Sequence, residues 1–406
     1  LNFFPFLRRR FHFFQFIKIF SEMNHWKKDA EVAIIGGGIM GVSTAYHLAK
    51  RGLSDVAILE KDLLAQASTG LSVGGIRQQF SHPANIRLSQ ESVKVFERFE
   101  QEFGVDIRFR QVGYLFLAQK QETWNEFLAN VETQKHLGVP VETLTPQEVK
   151  RRWPYLNVSD LKGGTFGPED GYADPFQVAM GFANSSRRLG VRIEEKTEVI
   201  GIKIKGGKVQ GVETTKGPVF SPVVVNAAGP WAGDVARMAG LDLPVKPYRR
   251  QVFVTKAFDD ILKPVPMVID QDVTFYFRGE DPGVLMGMSD RDEPSSFNLN
   301  VDRNFMERVI EAAVHRAPVL DKAEILKGWA GLYEVTPDDN PIIGEVAGLE
   351  GFFCAIGFSG HGFQQGPAVG LLLSQLILDG RTEFDLKPFA HDRFGKTGQE
   401  GERRVV

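Results

Sequence analysis

Glu31-Val-Ala-Ile-Ile-Gly-Gly-Gly-Ile-Met-Gly41, followed by a helical stretch and then Asp55-Val-Ala-Ile-Leu-Glu60, decides the fold. The order is a strand, a glycine turn, a helix and a second strand that ends in a carboxylate. Gly36 permits a tight turn, Gly38 lets the backbone approach a pyrophosphate, and Gly41 lets the helix pack close to the strand. The helix N-terminus then offers N–H groups and a partial positive charge to phosphates. Glu60 follows the glycines by about 20 residues, where a carboxylate meets a ribose. The pattern predicts a bound dinucleotide.

Composition narrows the rest. A chain of 406 residues, 43% hydrophobic and 24% charged, has enough apolar material for two or three core-bearing units. A net charge of -3 and a pI near 6.3 provide no field for a polyanion, so nucleic acid is not an expected partner. The single cysteine, Cys354, rules out an internal disulfide and any multi-cysteine metal site, and no metal is expected. Residues 1–22 crowd eight phenylalanines around Arg8, Arg9 and Arg10. Charges interrupt that run before it reaches the ~18 residues of a membrane span. It reads as an unstructured leader, or as an extended gene start with Met23 as the working first residue. The expected location is cytoplasmic.

Along the chain, a helix is expected over Pro83–Phe103 and another over Glu122–Leu137, with a hairpin turning at Gly206-Gly207. Pro222-Val-Val-Val-Asn-Ala-Ala-Gly-Pro-Trp231 reads as a buried strand running through a glycine into a helix. Strands dominate from Pro244 to Asp290, including Val273–Phe277, and a last helix is read from Pro367 to Leu378. The fold class is α/β, with a Rossmann-like dinucleotide domain and an inserted β-rich α+β domain. The first domain takes residues 29–113, 172–244 and 335–390. The second takes 114–171 and 245–334, leaving 1–28 as leader and 391–406 as tail.

Gly357-Phe-Ser-Gly-His-Gly-Phe-Gln364 packs three glycines between a strand and a helix start, a loop whose N–H groups suit an anion. Together with Ser68-Thr-Gly, Gly75-Ile-Arg-Gln-Gln-Phe80, Asn226-Ala-Ala-Gly-Pro-Trp231 and Gly328-Trp-Ala-Gly-Leu-Tyr-Glu-Val-Thr-Pro-Asp-Asp-Asn-Pro-Ile-Ile-Gly344, it carries a likeness. The chain resembles the D-amino-acid-oxidase-type flavoproteins and is most similar to their sarcosine oxidase branch. Within that branch it resembles the β subunits of heterotetrameric sarcosine oxidase and dye-linked L-proline dehydrogenase.

That resemblance implies FAD as the dinucleotide, with Ser68 and Thr69 at its pyrophosphate and the backbone of Val199 at its adenine. It implies that Gly357, Ser359, Gly360, His361, Gly362, Phe363 and Gln364 hold the pyrimidine edge of the flavin. The cofactor set extends to Ile39, Met40, Lys61, Gly74, Gly75, Ala227, Gly229 and Trp231. Arg77 falls where the branch keeps an arginine for the substrate carboxylate, a task that suits a permanently charged fork. His361 and Tyr333 are implied to line the reacting centre. Relatives that attach flavin covalently do so at positions matching Gly331, Leu71 and Pro175, so non-covalent FAD is expected. An oxygen-activating lysine of the oxidases falls at Leu285, which points to a dehydrogenase. The implied reaction is hydride transfer from a small, secondary amino acid such as sarcosine or proline to flavin N5, giving an imine. Oxidation of a 2-hydroxy acid, or a non-catalytic flavin-binding assembly subunit, stand as alternatives. A partner subunit or a homo-oligomer is also implied.

Overall fold

The computed structural model describes residues 28–261, 263–394 and 401–402. Residues 1–27 of the expected leader, Met23 among them, lie outside the described residues, as does most of the tail.

Val32–Ile35 is the central strand of a six-stranded sheet, flanked by Val56–Leu59 and Val223–Asn226. Arg192–Glu194 and Phe352–Ile356 extend it in parallel, and Ile342–Glu345 closes one edge antiparallel. Because side chains alternate along a strand, Val32 and Ile34 enter one hydrophobic cluster while Ala33 and Ile35 enter another on the opposite face. Val56 and Ile58 against Ala57 and Leu59 repeat the division. Each fully buried valine or isoleucine contributes about 1.5–3 kcal/mol. Helices Ile39–Lys50 and Gly362–Asp379 pack against one another on the first of these faces. The α/β class read from the sequence is the class observed.

A second sheet has eight strands, in the order Ile325–Val335, Lys246–Thr255, Gly283–Met288, Phe275–Glu280, Met267–Asp270, Tyr114–Ala118, Gly163–Gly167 and Glu142–Leu144. It is antiparallel apart from the pairing of Met267–Asp270 with Tyr114–Ala118. Its strands come from two separate stretches of chain. The expected hairpin forms a small sheet of Val199–Lys205, Lys208–Thr214 and Gly217–Phe220.

Three expected boundaries are corrected. The Pro83–Phe103 helix is two helices, Pro83–Glu97 and Phe99–Phe103, broken where Arg98 leaves helical geometry (φ -107°, ψ 10°). The break turns Phe99 and Phe103 onto Phe182, with ring centroids 5.4 and 4.8 Å away. The strand expected at Val273 starts at Phe275, because Thr274 takes a left-handed conformation (φ 58°). The last helix begins at Gly362, five residues before Pro367, so that proline sits inside it rather than at its start.

Candidate functional site

The glycine turn is built by exclusion. Gly36 has φ +110°, and a methyl group there would sit 2.3 Å from the Ala227 carbonyl oxygen. At Gly41 a methyl would come within 2.0 Å of the Gly36 carbonyl oxygen, so helix Ile39–Lys50 packs onto the strand only without it. Gly38 is different: its missing methyl faces Thr69 Oγ1 at 3.1 Å and otherwise open space. Glu60, at the end of the Val56–Leu59 strand, accepts the Gly37 N–H at 2.7 Å and the Asp62 N–H at 2.8 Å. Thr69 Oγ1 accepts the Ile39 N–H at 3.1 Å, and Ser68 Oγ donates to the Leu332 carbonyl at 2.6 Å. Gly38 provides no side-chain cap to the helix, and beyond the Ile39 N–H that Thr69 takes, the first-turn amides are left to the space beside it.

The second loop-to-helix junction opens onto the same space. Gly357 (φ +76°) and Gly360 (φ +93°) have left-handed backbones, and a methyl on Gly360 would reach the Tyr333 ring at 2.4 Å. Ser359 donates its N–H to the Glu334 carbonyl at 2.9 Å and takes the Thr336 N–H on its hydroxyl at 3.3 Å. Helix Gly362–Asp379 starts with no side-chain cap at His361, and Phe363 packs on Phe96.

Between the two junctions and one face of the eight-stranded sheet lies a cleft of about 1280 Å³, its open mouth included. Gly38, Ile39, Met40, Ser68, Thr69, Gly75 and Gly229 line one side of it, and Ser359, Gly360, His361, Gly362, Phe363 and Gln364 another. Tyr333 and Arg77 also line it. Gly36, Gly41, Glu60, Lys61, Gly74, Val199, Ala227, Trp231 and Gly357 lie outside the lining. Several of these shape the loops instead. Ala227 donates its N–H to Ile35 at 2.9 Å, and a methyl on Gly74 would meet the Ala173 carbonyl at 2.0 Å. Lys61 Nζ sits 3.1 Å over the Trp231 ring, which in turn stacks on Phe297. Val199 is buried at the start of its strand, opposite Thr214.

The sheet face contributes Tyr114, Phe116, Arg250, Val252, Met267 and Tyr276. Burial pushes the Tyr114, Tyr276 and Tyr333 phenols up, so all three stay neutral hydroxyls. Arg77 is buried; its N–H donates to Gln364 Oε1 at 2.7 Å, its Nη1 donates to the Gln79 carbonyl, and its guanidinium lies 3.8 Å from the centre of the Phe80 ring. Its Nη2 is 3.3 Å from His361 Nε2. Leu285 is buried in the apolar cluster of this same face but does not itself line the cleft.

Four charged residues near the site escaped the sequence reading. Arg250 lines the cleft two residues before Val252, so strand alternation would have placed it on that face. Glu334 lines the cleft, and burial lifts its carboxyl to about 7 against the pull of the Gly357 and Phe358 amides. Asp170 lies beneath Arg77, accepting the Gln78 N–H at 2.9 Å and Gln79 Nε2 at 3.1 Å, and burial lifts it to about 7. Glu402, in the tail, is buried against Ser81, His82 and Asn85, and a polar segment gives no signal for that. Among the described residues no group of three or more His, Cys, Asp or Glu is placed to hold a metal ion, and no helix is long and apolar enough to cross a membrane.

The donor set fits a dinucleotide: two helix starts whose own N-cap residues give no side-chain cap face one cleft, and only glycine fits at the turn that shapes it. Known proteins agree. The sequence model of the DAO family, described as FAD dependent oxidoreductase, matches residues 31–376. Dimethylglycine dehydrogenase, mitochondrial, of Rattus norvegicus is 33% identical over 391 residues, 91% of this chain and 45% of that protein. Sarcosine dehydrogenase, mitochondrial, of Homo sapiens is 33% identical over 382 residues, 90% and 41%. This chain thus spans under half the length of both. The crystal structure of L-proline dehydrogenase from P. horikoshii superposes with a TM-score of 0.85 at 36% identity, covering 91% of this chain and 98% of that one.

Proposed function

The chain belongs to the DAO family of FAD-dependent oxidoreductases, and on that premise we propose that it oxidises the C–N bond of a small, secondary amino acid such as sarcosine or proline to an imine. The observation that carries the reading is the cleft itself. It is walled by aromatic and aliphatic side chains on the sheet face, yet holds two permanent cations, Arg77 and Arg250. A small molecule with a carboxylate at one end and an apolar body suits such walls.

In this reading the Ile39–Lys50 helix start, with Ser68 and Thr69, holds the pyrophosphate of FAD. The backbone at Val199 meets the adenine, and the 357–364 loop presents its amides to the flavin's pyrimidine edge. When bound, FAD supplies the electron sink, accepting hydride at N5. The chain's own contribution is position and field. An arginine of the wall grips the carboxylate, the role the family likeness gives Arg77. The apolar face disfavours an ammonium, so the amine enters neutral and needs no separate base. His361 and Tyr333 border the reacting centre. The 29–113, 172–244 and 335–390 segments form the FAD-binding domain and the remaining strands the substrate domain. A partner subunit or a second copy completes the reading, by likeness to multisubunit relatives.

FAD is held without a covalent bond. Gly331 and Leu71 both line the cleft and neither has a nucleophile; a methyl on Gly331 would lie 3.2 Å from Leu71 Cβ. Acid precipitation is therefore expected to release all the yellow colour and leave a chain with the mass of the bare polypeptide. The substrate test is anaerobic addition of sarcosine, L-proline, glycine, D-alanine and a 2-hydroxy acid, following the flavin absorbance. Bleaching by a secondary amino acid supports the reading. Bleaching by the hydroxy acid alone moves the activity to C–O oxidation, and no bleaching by any of them sinks it.

A further inference from the structure

We propose that Arg250, rather than Arg77, takes the substrate carboxylate, and that Arg77 is a positioning residue for His361; this rests on the amino-acid reading of the cleft given above. The strand Lys246–Thr255 pairs Arg250 with Gly331 and Gln251 with Ala330. Gly331, directly opposite, has no side chain to cover Arg250, and two residues on along the same strand the Tyr333 ring lies 4.9 Å from the guanidinium.

The adjacent arginine gives an internal comparison. Alternation along the strand directs Arg249 to the other face. There its Nε and Nη2 fork onto the two oxygens of Glu293 at 3.0 and 2.9 Å. Arg250 has no such carboxylate. Its Nη1 donates to the Arg249 carbonyl at 2.9 Å, its buried Nε has no hydrogen-bond partner, and it joins no ion pair among the described residues. A buried guanidinium donor without an acceptor is costly. A carboxylate in the cleft would meet it in the way Glu293 meets Arg249.

Arg77 is in the opposite situation. Gln79 and His361 take its Nη groups, Phe80 covers its face, and the Glu402 carboxylate supports its charge. One donor on each Nη is directed at the protein, and its effect on the substrate passes through His361.

The test uses the flavin-loaded protein and an unreactive ligand pair, pyrrole-2-carboxylate and its amide, titrated against the flavin spectrum. The wild type is expected to prefer the acid. Arg250→Met should weaken the acid by roughly 10- to 100-fold, the range for a lost charge-assisted hydrogen bond, and leave the amide nearly unchanged. Arg250→Lys, which keeps the charge but loses the fork and preserves packing, should fall between. Arg77→Met should retain the preference for the acid. An Arg250→Met protein that still prefers the acid, or an Arg77→Met protein that loses the preference, overturns the assignment while substrate bleaching of the wild type leaves the amino-acid reading standing. A wild type that no acid perturbs and no amino acid reduces defeats that reading first, and this assignment with it.

Discussion

Nη2 of Arg77 lies 3.3 Å from Nε2 of His361, although 284 residues separate them in the chain. A guanidinium can only donate, so Nε2 is the accepting side of this contact. The contact ties the segment after the Ser68–Leu71 helix to the loop that starts Gly362–Asp379, and fixes the ring that borders the cleft. Phe80 meets the same imidazole edge-on, with ring centroids 4.9 Å apart.

If the two residues act as one unit, their losses should not add. Arg77→Met and His361→Ala are each expected to lower kcat/KM, and the double variant should be little worse than the poorer single one. A coupling of about 1–2 kcal/mol is the range for residues in one network. Steady-state kinetics on the four proteins of the cycle measures it, and additive losses would show that the contact transmits nothing.

Two glycines of the same turn separate folding from cofactor binding. A methyl at Gly41 would lie 2.0 Å from a backbone oxygen, whereas one at Gly38 meets only the Thr69 hydroxyl, at 3.1 Å. Gly41→Ala should destabilise the fold by more than about 2 kcal/mol, since rigid backbone must move. Gly38→Ala should keep the melting temperature of the flavin-free protein and weaken FAD by an order of magnitude or more, because the added group occupies the side the ligand needs. Thermal melts and flavin titrations of both variants decide it; a Gly38→Ala protein with full FAD affinity would remove Gly38 from the cradle.

What was legible in the sequence follows the reach of the signal. The strand–turn–helix at 31–60 is local, its glycines are dictated by backbone contacts, and the reading of Gly36 and Gly41 matches the space around them. The helix break at Arg98 was invisible because the apolar period runs on through it, and the ring it turns Phe99 onto, Phe182, is distant in the chain. Arg250 was within reach of strand alternation. Glu402 was not, since its partners, Ser81 and Asn85, lie more than 300 residues away and its neighbours have no period. The family likeness ranked Arg77 first among the cations, and only the three-dimensional contacts show that Gln79 and His361 each take one of its Nη donors.

Glu334 should leave a signature in the pH dependence of the flavin-free protein. Burial raises its carboxyl from 4.5 to about 7, and its Oε2 has no hydrogen-bond partner. A raised folded-state value means the folded protein binds the proton more tightly than the unfolded chain. The stabilising contribution is present below about pH 4.5 and is lost as pH rises through 7. Glu334→Gln cannot ionise, so its stability relative to wild type should grow by about 1–3 kcal/mol between pH 4.5 and 7.5 and then level off. Urea unfolding across that range checks it; a flat difference would mean the carboxylate is solvated.

Glu402 is the opposite case, and the sign reverses. Burial alone would raise its carboxyl, but Arg77 and the donors at Ser81 and Asn85 outweigh that and hold it at about 2. Both oxygens are engaged: Ser81 donates its N–H at 3.0 Å and its hydroxyl at 2.7 Å to one, and His82 N–H at 3.2 Å and Asn85 Nδ2 at 3.0 Å reach the other. The Glu402 N–H also donates to the Asp338 carbonyl at 2.9 Å, and Asp338 takes a forked ion pair from the buried Arg393. The tail is thereby fastened over the start of helix Pro83–Glu97, where a negative charge is favoured by the N-terminal amides. Its contribution exists above the unfolded value near 4.5 and disappears as pH falls toward 2. Glu402→Gln should therefore be less stable than wild type by a few kcal/mol at pH 7, with the gap closing as pH drops from 5 to 3. If Glu402 also supports the Arg77 charge, the substitution should weaken the Arg77–His361 coupling measured by the cycle above. A variant with wild-type stability at pH 7 and unchanged coupling would show that the tail rests on the site without acting on it.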